Sequence, residues 1–176
     1  MNEFDPKIHH RRSIRLKGYD YARDGAYFVT IVTWQREMLF GEVVDGVMVL
    51  NDMGEIVREE WERAPIVRPY IELGAYVVMP NHIHGILIFN VGATRRVAPT
   101  KTTLQSGSLG AVIGQFKSIV TKRINTLHNS PGVPVWQRNY YDRIIRNERE
   151  MSRIWDYIEA NPARWEKDEE NTENIA

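Results

Sequence analysis

An α+β fold of the split βαβ, ferredoxin-like class is what the order of elements in this 176-residue chain predicts. Two observations carry it. Stretches rich in β-branched and aromatic residues fall at 26–34, 72–90 and 135–145, and stripes of helical spacing lie between and after them. The resulting order, β, α, β, β, α, β, α, lays helices on a mostly antiparallel sheet.

Each element has its own local reason. AYFVTIVTW (26–34) is a buried strand by composition. Gly41 and Gly46 bracket a turn before the short strand VMVL (47–50). Asn51 or Asp52 can cap a helix whose apolar positions are Met53, Ile56, Val57 and Trp61, with Pro65 just beyond. ELGAYVVMP and NHIHGILIFN are two apolar runs joined at Pro80-Asn81, as in a hairpin. Residues 91–107 are poor in large apolar side chains and read as a mobile loop. A second helix follows, with Leu109, Val112, Ile113, Phe116, Val120, Ile124 and Leu127 on one stripe. Lys117 and Lys122 fall off that stripe, whereas Arg123 lies on it and must snorkel. After the SPGVP break, VWQRNYYDRII predicts a strand, and residues 148–161 a last helix stopped by Pro162.

Composition excludes several classes. There is no cysteine, which removes disulfide scaffolds, thiolate-held metals and thiol catalysis. The opening segment has no apolar signal core, and no apolar run reaches the roughly 18 residues of a membrane span, so the expectation is a cytoplasmic protein without a membrane partner. Basic and acidic residues cancel at 23 each, but they are segregated. Residues 91–146 hold nine Lys/Arg and one acid, while residues 37–72 hold nine acids and three Arg. Such a basic stretch suits phosphate contacts. The expected layout is one domain over 1–165, with a basic arm at 1–18, and an acidic, disordered tail at 166–176.

His82-Ile83-His84 is the sharpest chemical signal. On a strand, residues two apart share a face, so both imidazoles can converge on one ion. A pair of hydrogen-bonded structural histidines is the plain alternative, about as probable on these residues alone. A histidine-triad nucleotide hydrolase would need a third histidine at position 86, which is Ile86. In the last helix Met151, Ile154, Trp155 and Ile158 form the apolar stripe. Tyr157 and Asn161, four apart, stack at its edge, where a phenol and an amide oxygen can face a cleft. A half-packed structural tyrosine is the commoner case. Tyr140 and Tyr141 are rival nucleophiles on opposite faces of a strand.

PNHIHGIL, RRSIRLKGYDYARDGAYFVTIVTW, VWQRNYYDRIIRNERE and IWDYIEANPARW, in this order, resemble the IS200-like tyrosine transposases, most closely the REP-associated branch. The resemblance runs over roughly residues 11–165. It implies an HUH-type nuclease with a single catalytic tyrosine, cleaving and rejoining single-stranded DNA at hairpin-bearing repeats through a 5′-phosphotyrosine. It implies His82, His84 and Asn161 as metal ligands and Tyr157 as nucleophile. Asn161 stands where insertion-sequence members carry Gln; Asn-Pro there is similar to the REP-associated branch. The implied cofactor is Mg²⁺, or Mn²⁺. From charge, the arm residues Arg11, Arg12 and Arg15 are assigned to an unpaired DNA segment, and Lys117, Lys122, Arg123, Arg138 and Arg143 to the hairpin stem. A monomer is favoured over a homodimer. The alternatives are a non-cleaving domesticated repeat-binding protein, a metal-dependent hydrolase using water, and a relaxase-like HUH protein.

Overall fold

In a computed structural model, which describes residues 24–90 and 107–172, the central strands are β1 (Gly25–Val32) and β5 (His82–Phe89). They pair antiparallel, with Thr30 opposite His84 and Val32 opposite His82. Between them in sequence come the hairpin of β2 (Gly41–Val44) and β3 (Val47–Leu50), helix α1 (Asp52–Glu62), a single turn α2 (Ala64–Val67) and β4 (Ile71–Met79). After β5 follow α3 (Leu109–Leu127), β6 (Tyr141–Ile145) and α4 (Glu148–Glu159). The sheet order is β4–β5–β1–β6, every neighbour antiparallel, which confirms the α+β, split βαβ reading. The β2–β3 pair stands apart, closed by Asp45 and Gly46 at φ 50° and 75°, the left-handed pair of a tight hairpin turn.

The sheet is covered on both sides. Tyr27, Val29 and Ile31 of β1 join Ile83 and Leu87 of β5 in the larger core under α1 and α3, through Val57, Trp61, Val112, Phe116 and Val120. The alternate residues, Phe28 and Ile86, meet Ile158 of α4 on the opposite face, with Met151 and Ile154 packed alongside. Strand alternation thus separates a structural face from a face covered by α4 and the segment that follows it.

The helix starts follow the sequence. Asn51 takes the cap of α1, its side chain accepting from the N–H groups of Met53 and Gly54 at 3.0 Å. Ser108 and Asn147 cap α3 and α4. The strand expected over 135–145 is shorter: only Tyr141–Ile145 joins the ladder, and Trp136 makes an isolated bridge with Thr33. Its first part leaves the ladder because Lys117 of α3 donates to the carbonyls of Gln137, Arg138 and Asn139.

The acidic tail differs more. Residues 162–167 continue from α4 as a 3₁₀ helix, and Asp168, Glu170 and Asn171 are buried. The described part of the tail is therefore packed where disorder was expected, because its carboxylates and amides find polar partners beside the sheet. The basic arm and the expected loop over 91–106 lie outside the described residues.

Gly85, between His84 and Ile86, is required by packing. A Cβ there would come within 2.3 Å of Cζ2 of Trp61, whose indole is fully buried against that side of β5. Gly85→Ala is expected to destabilise the fold by about 1–3 kcal/mol, as overpacked cores do, measurable by chemical denaturation; an unchanged midpoint would show that the indole gives way.

Candidate active site

The histidine-bearing end of β5 is built by three elements. Pro80-Asn81 turns β4 into β5, so His82 and His84 start the strand, both buried and both on the face toward α4. Their rings lie 4.4 Å apart between centroids. Each ring is held by a hydrogen bond at Nδ1. His82 Nδ1 lies 2.9 Å from Asn81 Oδ1. The Asn81 amide is oriented by its own Nδ2, which donates to the carbonyls of Arg36 at 3.2 Å and Glu170 at 2.7 Å. Its oxygen can only accept, so Nδ1 of His82 carries the proton and Nε2 the lone pair. His84 Nδ1 lies 2.8 Å from Thr30 Oγ1, across the β1–β5 pair. The arrangement in which Nδ1–H donates to Thr30 turns the Nε2 lone pair toward α4.

Tyr157 projects from the last turn of α4. Its hydroxyl is 3.2 Å from His84 Nε2, and its ring lies edge-on to Phe28, which stacks on the His84 imidazole. At 41% exposure the phenol stays open to a substrate while the imidazoles beneath it are buried. Of the rival tyrosines, Tyr141 is on the same side, edge-on to Phe28, and Tyr140 packs against the opposite core.

The third ligand expected from the sequence, Asn161, is buried one turn below Tyr157, but its neighbour completes the cluster. His82, His84 and Asp168 each present one ligand atom within 4.8 Å of the others. Asp168 is fixed from two sides: Asn161 Nδ2 donates to Oδ2 at 2.8 Å, and the Glu170 N–H donates to Oδ1 at 2.7 Å. Asn161 Oδ1 is buried with no hydrogen-bond partner among the described residues. Two imidazole nitrogens, a carboxylate and an orphaned amide oxygen fit a divalent cation of borderline to hard character. Asp168 lay within the acidic tail, where charge density alone suggested solvation; no local spacing pointed to it. Thr30 and Asn81 were likewise missed, although an Asn in the tight turn just before two histidines was a visible signal.

The basic residues separate. Lys122, Arg138 and Arg143 are exposed, and Arg143 pairs with Glu150 of α4. Lys117 is turned inward onto three carbonyls, and burial pushes its ammonium down to about 8. Arg123 bridges to Glu59 and Glu60 of α1 at 2.7 Å and ties the two helices together; these hydrogen-bonded carboxylates hold its pKa up. Both were expected on the DNA surface, and both make contacts within the chain. Arg11, Arg12 and Arg15 lie outside the described residues. Among the described residues, no helix is long and apolar enough to cross a membrane.

No family model matches the chain. An uncharacterised protein of Haemophilus influenzae is 39% identical over 175 residues, covering 95% of this chain and 96% of that protein. A second protein of the same organism, named "Putative REP-associated tyrosine transposase", is 25% identical over 148 residues, 82% of this chain and 74% of its own length. Among solved structures, a REP-associated tyrosine transposase bound to a REP hairpin superposes with a TM-score of 0.55 at 20% identity, covering 94% of this chain and 74% of that one. That likeness shows a shared fold. The resemblance to the REP-associated tyrosine transposases read from the sequence is thus met by a sequence relative of that name and by a shared fold.

Ligand geometry of this kind is read without turnover. Mn²⁺ titration followed by electron paramagnetic resonance is expected to show binding in the parent protein and a loss of affinity of about 10–100-fold in Thr30→Val, which removes the partner that orients His84. Asp168→Ala should lose more than Asn161→Ala; the reverse order would return the third position to Asn161.

Proposed function

We propose that this chain is a metal-dependent tyrosine transposase or nuclease that cleaves and rejoins single-stranded DNA at hairpin-bearing repeats. The observation that carries the reading is Tyr157: an exposed phenol 3.2 Å from Nε2 of a buried histidine, at the rim of a cluster with metal-ligand chemistry. A protein that only recognised repeats would have no use for burying two imidazoles and a carboxylate beneath an open tyrosine.

In the proposed step, Tyr157 Oη forms a bond to phosphorus and the bond from phosphorus to the 3′-oxygen breaks. The phenol gives up its proton and the departing 3′-oxygen takes one up, leaving a free 3′-hydroxyl and a 5′-phosphotyrosine. A 3′-hydroxyl from another end reverses the exchange, and no nucleotide is consumed because a phosphoester is retained throughout. His82, His84 and Asp168 would hold the cation, with Asn161 orienting Asp168 and offering Oδ1 as a further donor. Bound there, Mg²⁺ or Mn²⁺ supplies Lewis-acid neutralisation of the phosphate's charge. Phe28 and His84 fix the attacking ring from the side and below.

The hairpin partner rests on the relative solved with a REP hairpin. Lys122, Arg138 and Arg143 are the exposed candidates for the stem's backbone, and Arg11, Arg12 and Arg15 for the unpaired segment. The working form is taken as a monomer.

The test is a denaturing gel for a protein–DNA adduct, using labelled single-stranded hairpin oligonucleotides with Mg²⁺ or EDTA. The parent protein should form a metal-dependent adduct with the fragment on the 3′ side of the break, joined through its 5′-phosphate, and Tyr157→Phe none. Cleavage that survives in Tyr157→Phe would move the attack to water, and binding without cleavage in either metal would leave a recognition protein.

A further inference from the structure

Beside the tyrosine, between β6 and the first half of α4, an open cleft of about 660 Å³ has chemistry that the bond exchange does not use. Arg146, Arg149 and Arg153 line it, all exposed, and none forms an ion pair among the described residues. Arg149 and Arg153 lie at helical spacing on α4 and lead to the nucleophile, with Arg146 just before the helix. At 1.5 Å per residue, Arg153 stands about 6 Å and Arg149 about 12 Å from Tyr157 along the axis of α4. The remaining basic residue, Arg143, pairs with Glu150, which also accepts from the Arg146 N–H at 2.9 Å. These contacts, the backbone hydrogen bond first, hold the Glu150 carboxyl below the usual range, and the cleft's one acid is already paired within the chain.

The cleft's inner wall is aromatic. Tyr141, 38% exposed, lies 6.2 Å from Phe28 between ring centroids, and Phe28 lies 6.1 Å from Tyr157 on its other side. A row of arginines facing an exposed ring is suited to a polymer with regular negative charge and flat bases that are not already stacked in a duplex. A double helix keeps its bases from such a ring.

We infer that this cleft is the track for the unpaired strand flanking the scissile phosphate, with Arg149 and Arg153 on successive phosphates and Tyr141 under a base. The inference rests on the proposed function for its end point, Tyr157, and adds the path of the substrate. Arg149, Arg153 and Tyr141 act as positioning residues, since none touches the reacting atoms.

The experiment measures binding of fluorescent hairpin DNA with and without a short unpaired extension, across salt concentrations, without added metal. Arg149→Ala/Arg153→Ala should weaken binding of the extended hairpin only, and lower the slope of log affinity against log salt by about 1.4, two single-strand phosphate contacts. Tyr141→Ser should lose about tenfold on the extended hairpin, and Tyr141→Trp should regain it. Parent-like affinity and slope in all three variants would overturn the inference, as would equal losses on the hairpin without an extension. The adduct assay separates the two readings. Loss of extension binding in a protein that forms no adduct keeps the track and removes the enzyme; an adduct with unchanged variants does the opposite.

Discussion

The two-residue repeat of β5 is the constraint on which the remaining structure depends. Because side chains alternate, His82 and His84 must face one way while Ile83, Gly85 and Leu87 face the other. The second set is locked by the larger core, with Trp61 laid directly against Gly85. Neither histidine can turn without a slip of the central strand, and a slip by one residue would drive both imidazoles into that core. β1 enforces the same choice from its side, since Thr30 opposes His84 and Phe28 supports its ring.

Burial of so many polar groups is tolerable because most of their polar atoms pair with one another. Asn81, Glu170, Arg36, Asp168 and Asn161 form a hydrogen-bonded chain around the histidines. Gln35 and Arg36 adopt left-handed backbone at φ 53° and 59°, an unfavourable conformation for both. The bend places the Arg36 carbonyl on Asn81 and its guanidinium 3.2 Å from Glu170. Local strain is thus offset by closing a network in which an unpaired member would cost more.

Much of this was legible in the chain, for reasons that differ by residue. The histidines were readable because their spacing matches a strand, and Tyr157 with Asn161 because theirs matches a helix. The helix caps at Asn51 and the stop at Pro162 follow from single-residue chemistry. Asp168 was not readable, since its partners are 84 and 86 positions away and its own neighbours are charged. Lys117 and Arg123 illustrate the same limit: a charge on a helix gives its sign but not what it faces. Only the fold shows that one meets three carbonyls and the other two glutamates.

The cluster also has an order in time. Both histidines leave the ribosome 84 or more residues before Asp168, roughly 4–17 s earlier at about 5–20 residues per second. For that interval the sheet's ferredoxin-like strands can pair and bury their larger core while the histidine face still lacks its carboxylate. The segment that carries Asp168 acts as a closing stitch: until it has emerged, the two histidines wait without their carboxylate.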